Sequence, residues 1–401
     1  MMPLALAEER LLVSVEIEPI LARVLDWADI NSGSGNLTGL ATMAGRLADA
    51  FSALPGAVKL AAPEPVERIG ADGSVQTVAC GQHLALSVRP EAERRVLLTG
   101  HMDTVYAADH PFQHCDWVDA ATLHGPGTAD MKGGLSLMLA GLAAFEASGP
   151  ALGYDVMINS DEETGSLSSA ALIRLLAQDK SAALTYEPAL PGGSMARARP
   201  GSGNFAAVVA GRSAHAGRNP GDGRNAVVAA ADLALRLNRA AHGGLSVNPA
   251  KIDGGGPDNM VPDHAVLRFN IRPQTPADAE EASALIDRIL AEVAALHDVS
   301  IRLHGTFRRP PKPITAQSEA LFALVRNAAA DLGQPLDWQD TGGVCDGNNI
   351  AACGVPVIDT MGALGGAIHS PDEFLLADSL VERARLTALV MHRLDRGEPV
   401  R

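Results

Sequence analysis

Cysteine is scarce in this chain and follows no pattern. The four residues, Cys80, Cys115, Cys345 and Cys353, form no Cys-x-x-Cys pair and show no metal-ligand spacing. They read as reduced, mostly buried thiols of a cytoplasmic protein. Long hydrophobic runs are missing as well. The longest apolar stretch, Gly133 to Phe145, is too short to cross a bilayer, so no membrane partner is expected. The opening Met1-Met2-Pro3-Leu4-Ala5-Leu6-Ala7 meets Glu8-Glu9 at once and carries no basic segment, unlike a signal peptide. Basic residues never gather beyond pairs such as Arg308-Arg309, and the formal net charge is −15. The basic stripe of a nucleic-acid binder is therefore absent. An acidic chain can still hold an anionic substrate through a few placed arginines. No repeat with a period of 20 to 50 residues is visible, which excludes a solenoid or propeller. The 40 Gly and 25 Pro are scattered rather than periodic, so the chain is not of low complexity.

What is present reads as a globular chain, with 47% hydrophobic and 20% charged residues. Its 401 residues are too many for one ordinary core, so two domains are expected. Apolar residues recur at helical spacing over 12–28 and 37–53. Between them lies Asn31-Ser32-Gly33-Ser34-Gly35-Asn36. Its Gly33-x-Gly35 pair follows a helix rather than a strand, so it reads as a turn and not as a phosphate cradle. Residues 95–100 predict a buried strand, with His101 and Asp103 just past its end. A helix over 133–147 leads to a strand over 154–159, which ends in Ser160-Asp161-Glu162-Glu163. A helix over 166–177 and a strand over 182–186 follow, the strand ending in Glu187. Alternating strands and helices with polar strand ends make an α/β pattern, in which ligands bind outside the carboxyl ends of the strands.

After Arg199-Pro200-Gly201 the pattern changes. Strands over 204–211, 245–253, 265–272 and 299–304 and helices over 225–240 and 276–296 run in the order β-α-β-β-α-β, a ferredoxin-like unit. It closes at Arg309-Pro310-Pro311-Lys312-Pro313, which reads as a stiff linker. A helix over 316–332, a strand over 354–358 and a final helix return to α/β. The expected division is a catalytic domain of residues 1–199 and 310–401 with an inserted domain of residues 200–309. Such an insertion commonly creates an interdomain cleft.

Five residues, His101, Asp130, Glu163, Glu187 and His369, sit at predicted strand ends or in Gly-rich loops. Taken singly, each has an ordinary reading, such as a surface His or a solvated acidic turn. Together they stand where apolar strands would otherwise stack repelling carboxylates, a repulsion that a dication removes.

Their surroundings resemble the co-catalytic zinc exopeptidase and deacylase family, which includes glutamate carboxypeptidase, acetylornithine deacetylase, succinyl-diaminopimelate desuccinylase and aminoacylase. The matching segments are Thr99-Gly100-His101-Met102-Asp103-Thr104-Val105, Gly125-Pro126-Gly127-Thr128-Ala129-Asp130-Met131-Lys132-Gly133-Gly134, Asp161-Glu162-Glu163-Thr164-Gly165-Ser166, Glu187-Pro188 and Ser213-Ala214-His215-Ala216-Gly217 with Asn225-Ala226. They occur in order over nearly the whole chain. The resemblance implies a zinc-exopeptidase-type mixed sheet flanked by helices, with the inserted unit serving as lid and dimerisation domain of a homodimer. It implies two zinc ions per subunit, with cobalt or manganese as alternatives, roughly 3.5–4 Å apart. Asp130 would bridge them, His101 and Glu187 would hold one, and Glu163 and His369 the other. Asp103 would bond the far nitrogen of His101, Glu162 would be the general base, and His215 would stabilise the oxyanion, reaching over from a partner subunit. A cis Asp130–Met131 peptide is implied too.

Within the family, Glu187 at the fourth metal position is similar to the glutamate carboxypeptidase branch. So are Gly342-Gly343-Val344-Cys345-Asp346-Gly347-Asn348 and the run from Met361 through His369-Ser370-Pro371-Asp372-Glu373. Arg272 matches the lid arginine that binds a substrate carboxylate, and Asn259 is carried over as a further substrate contact. Arg309 stands open between a second carboxylate ligand and an exposed linker charge. The chain departs from the family at Val344 and Cys345, where Gly or Ala and Ser or Thr are usual, and at Pro220-Gly221-Asp222, where the acidic residue is displaced. Both departures bear on specificity. The expected activity is hydrolysis of an amide bond beside a free carboxylate, with N-acyl-amino-acid deacylation as the alternative. A non-catalytic homologue would have lost the base or a ligand, and neither is lost. A nucleotide-binding protein would need a Gly-rich turn between strand and helix, which is not found.

Overall fold

The computed structural model describes residues 4–397, so Met1, Met2 and Pro3 of the segment read for a leader lie outside the described residues. In chain order the main strands are β1 (Ala57–Ala61), β2 (His83–Val88), β3 (Arg95–His101), β4 (Gly153–Asn159), β5 (Ala182–Thr185), β6 (Ser202–Ala210), β7 (Leu245–Gly254), β8 (His264–Pro273), β9 (Ser300–Arg309) and β10 (Val357–Ile358). The helices are α1 (Leu6–Val13), α2 (Ile17–Ala28), α3 (Leu37–Phe51), α4 (Gly134–Glu146), α5 (Ala170–Ala177), α6 (Ala226–Arg239), α7 (Pro276–His297), α8 (Ala316–Asp331), α9 (Asp346–Ala351) and α10 (Asp378–Asp395).

The central sheet has the order β1-β2-β4-β3-β5-β10. Strands β4, β3, β5 and β10 run parallel, β2 is antiparallel to β4, and β1 pairs antiparallel with β2 at the edge. Alternation along β3 sets both faces. Val96 and Leu98 join the large core under α2, α3, α4 and α10, and Leu97 joins a smaller core with Ile173 of α5 and Ile350 of α9. Each fully buried aliphatic side chain of this kind contributes about 1.5–3 kcal/mol. Helix α4 is apolar on every side, and it is buried nearly throughout against α10. Among the described residues no helix is long and apolar enough to cross a membrane.

Strands β6 to β9 form a separate antiparallel sheet in the order β7-β8-β6-β9. Helices α6 and α7 pack on one of its faces, around Phe205, Leu233, Leu267, Phe269 and Ile286. Phe205, Ala207 and Val209 point into that core. Val208, His264 and Arg268 lie on the other face, where they meet a polar hairpin (Val66–Ile69 and Val75–Val78) projecting from the first lobe. The two crossings between lobes run side by side, with Arg199 and Lys312 exchanging backbone hydrogen bonds at 3.1 and 2.9 Å. Asn348 of α9 clasps both: its amide nitrogen donates to Pro200 O at 2.9 Å and to Pro310 O at 2.8 Å. Asp359, fully buried just past β10, accepts from Arg199 at 2.7 Å and pairs with Lys312 at 3.0 Å.

Several expected elements are corrected here. The helix over 12–28 is two helices, α1 and α2, broken at residues 14–16. Pro19 lies in the first turn of α2, and its ring would clash with the Val15 carbonyl in a continuous helix. The last strand of the second sheet runs on to Arg309, because β9 pairs with β6 as far as Ser202–Arg309. Arg309 is therefore a strand residue and not part of a linker. The strand over 354–358 shrinks to Val357–Ile358, since Gly354 has φ 82° and belongs to a turn. The cysteines are unpaired as expected, but only Cys345 is fully buried and Cys353 is exposed.

Candidate active site

The parallel register brings the acidic strand ends together. His101 at the end of β3 pairs with Asn159 at the end of β4, and Glu162 and Glu163 follow three and four residues later. On the other side Thr99 pairs with Thr185 of β5, which places Glu187 two residues on, level with His101. Two glycines permit close approach at this point. A side chain on Gly134 at the start of α4 would strike Tyr186 O, and one on Gly362 would strike the carbonyls of Tyr186 and Glu187. Asp130 lies in the turn before α4, where its peptide to Met131 is cis. His369 adopts φ 62°, a left-handed conformation that His tolerates better than most residues.

Two donor groups result, one of His101, Asp130 and Glu187 and one of Asp130, Glu163 and His369. His101 Nε2 lies 3.1 Å from Asp130 Oδ1 and 3.8 Å from Glu187 Oε2. His369 Nε2 lies 3.2 Å from Asp130 Oδ2 and 3.1 Å from Glu163 Oε2. Asp130 thus offers one oxygen to each group.

The charges fit a cation. Burial drives the carboxyl of Glu163 up to about 8, and the neighbouring Asp130 and Glu162 add to the effect while His369 opposes it. Burial likewise raises Glu187 and Glu162. Bonds to Asp130 and Glu163 raise His369 to about 11. Burial resists ionisation of His101, but Asp103, Asp130 and Glu187 together hold it well above its usual range. Asp130 is lowered despite its burial, because both histidines donate to it. Carboxylates outnumber cations in this cluster, and the protein groups compensate by holding protons. Glu187 Oε1, buried with no protein partner, is the kind of free lone pair that a metal would use.

The surroundings fix these groups. His101 Nδ1 bonds the backbone oxygen of Asp103 at 2.9 Å, whereas the Asp103 carboxylate stands off at 3.5 Å. Asp103 thus faces the far nitrogen of His101 with its backbone oxygen nearest and its carboxylate within ion-pair range. The Asp103 carboxylate accepts from Glu162 N, Glu163 N and Ser34 Oγ at 3.1, 3.2 and 2.7 Å, so it shapes the turn that presents both glutamates. Glu373 does the same for Asp130. Its buried carboxylate accepts from Gly127 N, Ala129 N and Asp130 N at 3.0, 3.0 and 2.9 Å, and from Tyr106 Oη at 2.8 Å. Ser34 and Glu373 both lie in segments singled out in the sequence, but only the folded contacts give them a task. A cleft of about 460 Å³ opens beside Glu163, walled by the Gly33–Asn36 turn and by Thr104 and Val105.

The second sheet supplies the remaining candidates. Arg272 on β8 donates to Asn270 Oδ1 at 3.2 Å and to Gly342 O at 2.8 Å, so it reaches across to the first lobe. His215 and Asn259 are exposed on paired loops, joined by Ala216 N to Asn259 O at 2.9 Å. Among the described residues His215 forms no hydrogen bond or ion pair with the five-residue cluster. Its Nδ1 accepts from Gly217 N and Arg218 N, which leaves Nε2 as the free donor. Arg309 is not an exposed linker charge. It is buried and forms an ion pair of 2.6 Å with Glu162.

A mixed sheet with a metal-competent cluster of acids and histidines across its strand ends defines a metal-dependent hydrolase. Residues 97–393 match the model of Peptidase family M20/M25/M40, and the chain belongs to that family. It is 28% identical over 337 residues to carboxypeptidase G2 of Pseudomonas sp., covering 79% of this chain and 78% of that one. It is 31% identical over 323 residues to succinyl-diaminopimelate desuccinylase of Methylobacterium radiotolerans, covering 75% and 80%. Among solved structures it resembles a tripeptidase from Staphylococcus aureus, with TM-score 0.75 and 22% identity over 96% of this chain and 100% of that one. It also resembles an M20 family metallo-carboxypeptidase from Sulfolobus solfataricus, with TM-score 0.74 and 13% identity over 93% and 98%. The structural likenesses establish the fold. The family assignment makes the chain a hydrolase of the peptidase and deacylase kind, whose relatives act on peptide or acyl-amino-acid substrates.

Proposed function

We propose that this chain is a zinc-dependent carboxypeptidase-like exopeptidase that cleaves an amide bond next to a free carboxylate. The observation that carries the reading is the pair of donor groups sharing Asp130, with Glu162 one residue from a ligand. His101 and Glu187 would hold one ion and Glu163 and His369 the other, with Asp130 common to both. When bound, such dications acidify water and polarise a carbonyl.

The protein groups divide the remaining tasks. Glu162 takes a proton from the attacking water and passes it to the leaving amine. Asp103 holds the Glu162–Glu163 turn through two backbone N–H groups. His215 donates from Nε2 to the developing oxyanion, acting in this reading from the lid of a second subunit of a homodimer. Arg272 presents a guanidinium fork to the substrate carboxylate, with Asn259 as a further contact. The lid is residues 200–309, and the free thiols support a cytoplasmic location. A deacylase reading is favoured by the desuccinylase relative at 31% identity, since both activities use the same cluster.

The test is a panel of N-benzoyl, N-acetyl, N-succinyl and dipeptidyl amino acids, assayed with zinc and with chelator. Chelator-sensitive hydrolysis of glutamate-terminated compounds with a neutral acyl half is expected. A preference for N-acetyl or N-succinyl amino acids over N-benzoyl and dipeptidyl glutamates would select the N-acyl-amino-acid deacylase. Hydrolysis that survives complete metal removal would reject both.

A further inference from the structure

We propose that Arg309, the last residue of the lid's closing strand β9, is a positioning residue that orients Glu162. The proposal rests on the reading of Glu162 as the base. It assigns Arg309 a role that neither the substrate-ligand nor the linker-charge expectation contains.

The geometry is specific. Nη1 of Arg309 pairs with Glu162 Oε1 at 2.6 Å, and Nη2 donates to the backbone oxygen of the same residue at 2.9 Å. One planar group therefore grips both the side chain and the main chain of Glu162. The same Nη2 donates to Ser166 Oγ at 3.0 Å and lies 3.7 Å from Asp346 Oδ1. Asp346 is itself braced by Ser166 Oγ and, at 2.8 Å, by Asn159 at the end of β4. Arg309 and Asp346 are nearly inaccessible, at 4% and 3% exposure. A guanidinium so enclosed cannot also meet a substrate in the cleft.

Burial and the position of Arg309 in the chain determine what this contact does. A buried glutamate rotates freely only if nothing holds it, and a base must lie within hydrogen-bond reach of the proton it takes. The fork supplies that restraint, which the point charge of a lysine cannot reproduce. The restraint comes from the second sheet: Ser202 of β6 pairs with Arg309 in the strand register. Asn348, two residues after Asp346, clasps the crossing that begins at Pro310. The orientation of Glu162 thus depends on the end of β9 being seated against α9.

The experiment is a double-mutant cycle on the zinc-loaded enzyme, combining Arg309→Met with Glu162→Gln and using the fastest substrate of the panel above. Arg309→Met alone should lower kcat about 10²-fold or more, the scale of general acid–base help. KM should change less than about threefold, and zinc content should match that of the unaltered enzyme, as expected for a group acting only on the base. In the Glu162→Gln background, Arg309→Met should cost less than about a further threefold, because both changes remove one function. Arg309→Lys should fall between, and it replaces the Met variant in the cycle if that protein does not fold. A strong rise in KM with kcat intact would make Arg309 a substrate ligand and overturn the proposal. So would multiplicative losses in the double mutant, or loss of zinc from Arg309→Met. Full turnover by Glu162→Gln alone would remove the base itself, and the proposal with it.

Discussion

Replacing Glu373 by Gln tests whether the Asp130 turn is held by charge or merely by shape. The carboxylate receives three backbone N–H groups and the Tyr106 hydroxyl, two donors on each oxygen. A glutamine keeps one acceptor oxygen, best left facing Ala129 N and Asp130 N. Its NH₂ then points at Gly127 N and Tyr106 Oη. The hydroxyl can accept from that NH₂ and direct its own proton to Ser370 O, 2.8 Å away, but the Gly127 N–H has no such option. An orphaned buried donor costs about 1–3 kcal/mol, and two bonds that change from charged to neutral lose about 1 kcal/mol more. Burial also disfavours the Glu373 carboxylate, and the neutral amide escapes that cost. The net loss should be about 2 kcal/mol, concentrated at the turn. Urea unfolding of the metal-free protein should register the destabilisation. A competitive chelator titration should show weaker zinc binding, because Asp130 is no longer held in place. A variant within about 0.5 kcal/mol of the parent and with unchanged zinc affinity would refute the argument, since surface-like tolerance is incompatible with four satisfied buried donors.

Four further outcomes are expected. Glu162→Gln should keep its zinc and lose about 10²–10⁴ in kcat, while Glu163→Gln should lose zinc; metal analysis beside kcat checks both, and the reverse pattern would shift the assignment by one residue. Arg272→Lys should raise KM for carboxylate-terminated substrates at least about tenfold, since lysine lacks the fork; an unchanged KM would send the carboxylate to another group. Mixing inactive His215→Ala with inactive Glu162→Ala should restore part of the activity through mixed dimers, and no recovery despite proven subunit exchange would confine each site to one chain. His83, buried between Ser160 and Ser168, has its imidazole pushed down to about 4 by burial. Its folded value lies below its unfolded one, so its contribution is complete above about pH 6.5 and is lost as the pH falls towards 4, by about 3 kcal/mol in all. His83→Asn should flatten that slope in urea midpoints measured from pH 7 to 4.5, and an equal acid sensitivity in both proteins would discount His83.

The strands that carry the cluster were legible because β3, β4 and β5 are apolar runs that stop at His101, Glu162-Glu163 and Glu187. Local composition alone sets such elements. The short β2 is not among the expected strands although Leu84, Leu86 and Val88 alternate there with Ala85 and Ser87, and composition fails for the hairpin of Val66–Val78, whose Glu67, Arg68, Gln76 and Thr77 look like loop. Strand β2 is held between β1 and β4, and the hairpin pairs with itself and rests on the second sheet. Arg309 shows the same limit within the site. Beside Pro310-Pro311 it resembles a linker charge, and only the register of β9 against β6 carries it inward to Glu162. Asp103 lies beside His101 as expected, but its backbone oxygen is the nearer atom, a detail set by backbone torsions that no side-chain identity specifies.

The clasp made by Asn348 has a consequence for how such a molecule can be assembled. Entry to and exit from the 108-residue span between β6 and β9 meet at one amide nitrogen, so the span hangs from the first lobe as a pendant hangs from a single ring. Its length does not alter the register of β3, β4 and β5, which pair only within the first sheet. A lineage could therefore lengthen, replace or remove the pendant without re-registering β3, β4 and β5. What it would forfeit is the contacts the pendant makes with the first lobe, those of Arg272 with Gly342 and of Arg309 with Glu162 among them. The sheet that carries the donor cluster and the pendant are thus separate in chain order, and beyond the clasp they meet where Arg268 reaches Ile69, Arg272 reaches Gly342 and Arg309 reaches Glu162.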